Sequence, residues 1–231
     1  MAKANWGNTA VIIPIYNGSA HLEKLLKRIL KFFPKENIIA VDDASLDNSV
    51  EICVSFQIKV ISFSVNKGKG AALTAGFREA IFQDFRYAFT IDCDLQHQPE
   101  NFPDFIKLQN RRNSDLVIGK RNFAFAKMPF SRILSNSITS FVVSITTGYK
   151  ILDSQSGFRL YSLDLIKKMS FRSERYQFET EIIFKFVRRK AKIDFVPIQT
   201  IYQTEKSYIS HGRDIMNFVK IVIYELFFDR R

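Results

Sequence analysis

Tyr87-Ala88-Phe89-Thr90-Ile91 runs directly into Asp92-Cys93-Asp94, and the reading of this stretch decides the fold. Its first five residues are continuously apolar or β-favouring, the pattern of a strand covered on both faces. A helix pattern precedes it at 70–82 and another follows at 102–110. The same alternation extends upstream and downstream. Residues 9–15, 37–42, 59–63 and 115–119 read as strands, with helix patterns at 20–33 and 47–56. Strand–helix alternation of this kind predicts an α/β fold with a mostly parallel, doubly wound sheet and helices on both faces.

In such sheets ligands bind beyond the carboxyl ends of the strands. The polar residues that follow each apolar run are therefore the ones to weigh: Tyr16-Asn17, Asp42-Asp43, Asn66-Lys67-Gly68 and Asp92–Asp94. All are expected at one sheet edge. On an extended chain Asp92 and Asp94 point the same way. Two carboxylates this close repel unless a cation sits between them, and their hard oxygens suit Mg²⁺ or Mn²⁺. The plain alternative is a turn, or a cap on the helix after Pro99. Asp42 or Asp43 fits an N-cap, leaving the other to accept hydrogen bonds from a base or ribose. Asn66-Lys67-Gly68-Lys69-Gly70 is a basic, glycine-bearing turn before a helix, suited to a phosphate. A simple tight connection fits it equally.

Beyond residue 120 the pattern changes. Residues 130–148 place Phe130, Ile133, Leu134, Ile138, Phe141, Val142 and Ile145 at helical spacing; 156–161 and 193–198 read as strands around a helix at 179–190. Residues 214–228 read as a helix with one apolar face, closing on basic residues. With no internal repeat or Gly/Ser linker, one domain over 1–231 is expected, with the change of pattern dividing it into halves at about 9–120 and about 121–231.

The 231 residues carry a formal charge of +11, with 46% hydrophobic residues and 23 Phe against one Trp. That composition excludes disorder. The basic balance attracts phosphates or anionic lipid, or simply makes a solvated face. Cys53 and Cys93 have no zinc-ligand spacing, which suits reduced thiols. No signal-like apolar start and no run of about 18 apolar residues point to a soluble or membrane-surface protein.

Pro14-Ile15-Tyr16-Asn17, Val41-Asp42-Asp43-Ala44-Ser45, Asn66–Gly70, Asp92-Cys93-Asp94-Leu95-Gln96-His97-Gln98-Pro99-Glu100, Gly119-Lys120-Arg121 and Ser156-Gly157-Phe158-Arg159 occur in this order. In these motifs, over roughly residues 9–200, the chain resembles the family 2 glycosyltransferases of GT-A fold, and most closely the dolichyl-phosphate mannose synthase branch, which glycosylates polyprenyl phosphate. The resemblance implies that Pro14, Tyr16, Asn17, Asp43, Lys67 and Gly68 hold the nucleotide. It implies that Asp92 and Asp94, with Gln96, bind metal and diphosphate. Asp153, Ser156, Gly157 and Phe158 would lie near the sugar, and Lys120, Arg121 and Arg132 near the acceptor phosphate. Gly18 stands where the family often has Glu, and Gly119-Lys120-Arg121-Asn122 replaces its usual Gly-Ser-Arg-Tyr.

Two enzymatic readings follow. Transfer of a hexose from a UDP- or GDP-sugar to polyprenyl phosphate needs no general base, because the acceptor is already anionic. A saccharide hydroxyl acceptor needs one, and Glu179 or Glu181 is the candidate. The plain alternative for this pair is placement at a helix N-terminus, or pairing with Lys185 or Arg188. Lys206, Ser207, His211 and Arg213 form a cationic stretch suited to a lid. The segment 121–132, basic and leading into an apolar-faced helix, suits an interfacial element; with the resemblance added, peripheral contact with the inner membrane face is expected. A non-catalytic basic module binding membrane or nucleic acid explains the charge but not the clustered carboxylates, so no nucleic-acid partner is expected.

Overall fold

Alternate residues of strand β1 (Thr9–Ile15) feed two different cores, which is why the strand reads as continuously apolar. Val11, Ile13 and Ile15 join one buried cluster and Ala10 and Ile12 the other. The computed structural model describes residues 3–121, 130–175, 177–201 and 211–227, with backbone alone for 130–135, 211–215, 217 and 226.

The elements run β1, α1 (Ser19–Ile29), β2 (Ile38–Asp42), α2 (Ser49–Ser55), β3 (Lys59–Ser62), α3 (Lys69–Phe82), β4 (Tyr87–Thr90), α4 (Phe102–Arg112) and β5 (Leu116–Arg121). They continue with α5 (Phe130–Thr147), β6 (Arg159–Ser162), α6 (Leu163–Ile166), α7 (Phe178–Arg188), β7 (Ile193–Ile198) and α8 (His211–Phe227). One sheet of seven strands has the order β3-β2-β1-β4-β6-β5-β7. The β1 pairings with β2 and β4, and β2 with β3 and β5 with β7, are parallel; β6 runs antiparallel to both β4 and β5.

The two cores make a three-layer molecule. Below the sheet, Leu22, Leu25, Leu26 and Ile29 of α1 join Phe33, Phe102 and Phe105. Above it, Ala72, Leu73, Phe77 and Ala80 of α3 join Phe178, Ile182, Ile183 and Phe186 of α7. The phenylalanine excess finds its place here. Phe89 and Phe158 stand 4.6 Å from Phe102 and 4.5 Å from Phe105 respectively, between ring centroids.

Element bounds differ from the sequence expectation for local reasons. The helix expected from 47 starts at Ser49, because the Asp47 carboxylate accepts from Ser49 N and from Ser19 N. The strand expected from 156 starts at Arg159, because the preceding residues form a loop gathered on Asp153. Among the described residues no helix is long and apolar enough to cross a membrane.

Candidate functional site

The parallel strands β1, β2, β3 and β4 deliver their carboxyl ends to one edge, and hydrogen bonds tie the loops there together. Asp43 donates its backbone N–H to Ile15 O at 2.8 Å. Its carboxylate accepts from Lys67 N at 2.6 Å and from Gly68 N at 2.8 Å. Asn17, at φ 52°, donates N–H to Ser45 Oγ and accepts from Leu46 N at its Oδ1. Asp42 caps the same turn through Ser45 N. These bonds join the β1, β2 and β3 loops. Tyr16 stands half exposed above them, and Pro14 is buried in β1.

The amides of Lys67 and Gly68 are therefore spent on Asp43, and the two glycines of this turn serve a packing purpose. A Cβ on Gly68, whose φ is 98°, would collide with Glu174 O; one on Gly70 would collide with Ser173 O. The turn is glycine-bearing because another backbone lies on it.

The charged centre is one step further along. Lys69, first residue of α3, places Nζ 2.7 Å from Asp92 Oδ1 and 2.7 Å from Glu179 Oε1. A cation in a helix's first turn opposes the helix dipole, and the two carboxylates offset that. Burial would lower the Lys69 pKa, but Asp92 and Glu179 raise it above its ordinary value. Burial pushes the Asp92 carboxyl up; Lys69 beside it, with His97 and Arg121 further off, holds it below the ordinary value instead. Glu179 Oε2 is buried with no hydrogen-bond partner. The Gly157 backbone closes this group: a Cβ there would collide with Asp92 Oδ2.

Asp94 accepts Gln96 N at Oδ1, 2.9 Å away, and Gln96 O accepts Ile201 N. His97 is buried against Phe158, its ring 5.8 Å away, and burial pushes its imidazole down to about 4 despite Asp92. Cys93 is part-buried, its thiol pushed up to about 12 by desolvation and then by Asp94 and Asp92.

At the end of β5, Asp153 is fully buried and receives Arg121 Nε and Nη2 at 2.7 and 2.8 Å. It also accepts Gln155 N and Ser156 N at Oδ1. This pair joins the end of β5 to the 153–158 loop. Lys120 is exposed. Arg159, fully buried, donates to Ser156 O, Ser154 O and Glu179 O, fixing that loop to the start of α7.

The structure thus brings Asp43, Lys67, Gly68, Asp92, Gly157 and Glu179 together through Lys69 and its turn. It takes Glu181 elsewhere: this carboxylate is fully buried and accepts Arg172 N and Ser173 N, with Lys185 Nζ 3.5 Å away. Both plain alternatives are realised at Glu181: it lies in the first turn of α7, with Glu179, and Lys185 is its ion partner one turn on. The Arg132 side chain, the whole of Lys206 and Ser207, and the side chains of His211 and Arg213 lie outside the described residues. Lys69 and Arg159 were not singled out from sequence. Their signals were a lysine opening a helix against its dipole, and a charge heading an otherwise apolar strand.

The donor set fits a hard divalent cation that shares its shell with substrate. Asp92 and Asp94 supply carboxylate oxygens at the sheet edge, and among the described residues no group of three His, Cys, Asp or Glu forms a cage. Mg²⁺ typically takes one or two carboxylates and completes its shell from phosphates and water.

The family model described as glycosyl transferase family 2 matches residues 10–170. The chain belongs to that family. A glycosyl transferase family 2 assignment agrees with the resemblance drawn from the motifs, and with two relatives in particular. The UDP-N-acetylglucosamine–dolichyl-phosphate N-acetylglucosaminyltransferase of Methanococcus voltae is 31% identical, over 91% of this chain and 92% of its own length. The undecaprenyl-phosphate mannosyltransferase of Micrococcus luteus is 30% identical, over 81% of each. Among solved structures, glucosyl-3-phosphoglycerate synthase from Mycobacterium tuberculosis, in complex with Mn²⁺ and UDP-glucose, superposes with a TM-score of 0.77 at 17% identity, covering 95% of this chain and 79% of that one. This likeness places the family 2 chain in the same fold.

Proposed function

We propose that this chain transfers a hexose from a nucleotide diphosphate sugar to a polyprenyl phosphate, with a divalent cation at Asp92 and Asp94. The observation that carries the reading is the ion-paired group Asp92–Lys69–Glu179, closed by the Gly157 backbone, at the edge where the strand ends meet. The relatives from Methanococcus voltae and Micrococcus luteus, named for dolichyl and undecaprenyl phosphate, supply the acceptor class.

The residues divide the work. Tyr16 and the turns held by Asn17 and Asp43 receive the base and ribose. Asp92 and Asp94 hold the cation, with Gln96 beside them, and Mg²⁺ or Mn²⁺ there supplies charge stabilisation for the departing diphosphate. Lys69 adds a second positive charge at the same point. Ser156 and Gly157 line the sugar side, positioned by Arg159 and by the Asp153–Arg121 pair; the Phe158 ring, expected there too, is fully buried in the core against Phe102 and Phe105. An acceptor phosphate oxygen attacks the anomeric carbon, and the bond to the nucleoside diphosphate breaks with inversion. That nucleophile is already anionic, so no side chain need take its proton. Lys120 and Arg132 are the cations assigned to the acceptor phosphate. Arg121 reaches it through its order in the 153–158 loop, since Asp153 occupies two of its nitrogens. The apolar faces of α5 and α8 and the cationic stretch around Lys206–Arg213 are assigned to peripheral membrane contact and to a lid.

One observation favours a second reading. Glu179 Oε2 is buried without a hydrogen-bond partner, so a saccharide hydroxyl that reached it would find a proton acceptor. Glu181 does not share that option, because backbone amides take both its oxygens.

Calorimetric titration with UDP and with GDP, with and without Mn²⁺, tests the donor site. Mn²⁺-dependent binding of one nucleotide is expected, lost in Asp94→Ala with the fold intact by circular dichroism. Binding unaffected by Mn²⁺ and by Asp94→Ala would remove the cation from the site.

A further inference from the structure

Glu181 is a fully buried carboxylate outside the Asp92–Lys69–Glu179 group, and its partners show a different task. It accepts Arg172 N at 3.0 Å and Ser173 N at 2.7 Å, so it gathers the amides of the short segment that precedes α7. That segment lies on the donor turn. Glu174 O accepts Ala71 N at 3.0 Å, satisfying one of the amides that the start of α3 leaves open, where no side chain caps it. Ser173 O and Glu174 O lie so close to Gly70 and Gly68 that neither position admits a Cβ. The same turn presents Lys67 N and Gly68 N to Asp43, and Lys69 Nζ to Asp92 and Glu179.

We infer that Glu181 is a positioning residue for the donor nucleotide: through the backbone of residues 172–174 it fixes the 66–70 turn, and with it Asp43 and Lys69. The chain of contacts is continuous, from carboxylate to amides, from carbonyls to the glycines and Ala71, and from the turn to the ribose and diphosphate side of the site. A carboxylate that accepts backbone amides with both oxygens organises a loop and leaves the reacting atoms to others. The inference rests on the proposed reading of this turn as the donor site.

Steady-state kinetics of Glu181→Gln and of Gly70→Ala, against donor sugar at saturating acceptor, test it. Glu181→Gln removes the charge and one acceptor at constant size; Gly70→Ala displaces the same segment from its other side and leaves Glu181 intact. Both are expected to raise KM for the donor about tenfold, with any fall in kcat, through displaced Lys69, shared by the two variants and the pH profile unchanged. The Kd of the matching nucleotide, UDP or GDP with Mn²⁺, should weaken in parallel. Faster hydrogen exchange at the Ala71 amide is expected in both. A collapse of kcat with KM unchanged in Glu181→Gln would overturn the inference and give the residue a chemical role. A wild-type KM in Gly70→Ala would overturn it as well. Should Glu181→Gln not fold, Gly70→Ala and Ala71 exchange decide alone. Failure of the wild-type chain to bind either nucleotide would instead count against the donor-site reading itself.

Discussion

Asp153 and Arg121 form a bidentate ion pair with almost no solvent around it, the carboxylate fully buried and the guanidinium side chain 10% exposed. Such a pair adds little net stability over an apolar pair, but breaking one half leaves a buried charge uncompensated, at a cost of about 3–5 kcal/mol. Burial pushes the Asp153 carboxyl up, but Arg121 and the backbone amides of Arg121 and Gln155 bring it below its ordinary 3.8. A carboxylate depressed in the folded state contributes stability above the unfolded value, and that contribution disappears as pH falls through the folded one. Asp153→Asn should therefore cost about 3–5 kcal/mol in urea denaturation at pH 7, and the deficit should shrink below about pH 4. A deficit that stays constant across that range would contradict the assignment. Residue identities at this scale were legible where a motif follows the end of a strand, as at Asp43 after β2 and Asp92 after β4. Lys69 was not, because what marks it is a contact with Glu179, 110 positions away in the chain. Arg159 escaped for the same reason: its acceptors are backbone carbonyls, which carry no sequence signature.

Among elements, most strands of the first 120 residues were readable because β1, β2 and β4 are buried on both faces, and α1 and α4 because each shows one apolar side; the edge strand β3 is only half-buried. Pairing direction was not readable. Nothing in Arg159-Leu160-Tyr161-Ser162 distinguishes an antiparallel strand from a parallel one, and β6 is antiparallel between β4 and β5. Helix α5 packs one side against α7, with Val143 fully buried, and turns Ile138, Phe141 and Ile145 to solvent at 51%, 65% and 65% exposure. The neighbouring α8 exposes Met216, Val219, Ile223 and Phe227. Exposed apolar side chains on adjacent helices suit an interfacial seat. The triple change Ile138→Ser, Phe141→Ser and Ile145→Ser should alter urea stability by no more than about 1 kcal/mol in all, because none of these residues is in the core. Sedimentation with vesicles containing anionic lipid should fall at least about fivefold. Unchanged sedimentation would remove α5 from the membrane contact.

For the whole molecule, the charge of +11 and the strand-end carboxylates pull in opposite directions. An anionic donor needs the carboxylates neutralised, and an anionic acceptor at an anionic surface needs the basic face. On the proposed reading, a divalent cation held by Asp92 and Asp94 would meet the first requirement, and the net positive charge of the chain the second. Both are satisfied together by transfer between a nucleotide diphosphate sugar and a lipid phosphate. The measurement that bears on this most directly is transfer of radiolabel from UDP- and GDP-sugars into extractable lipid, with undecaprenyl or dolichyl phosphate as acceptor. Label in the lipid phase is expected with one donor, dependent on Mg²⁺ or Mn²⁺ and abolished by Asp94→Ala. Donor turnover with label only in a water-soluble saccharide, lost in Glu179→Gln, would contradict it and move the acceptor to a sugar hydroxyl.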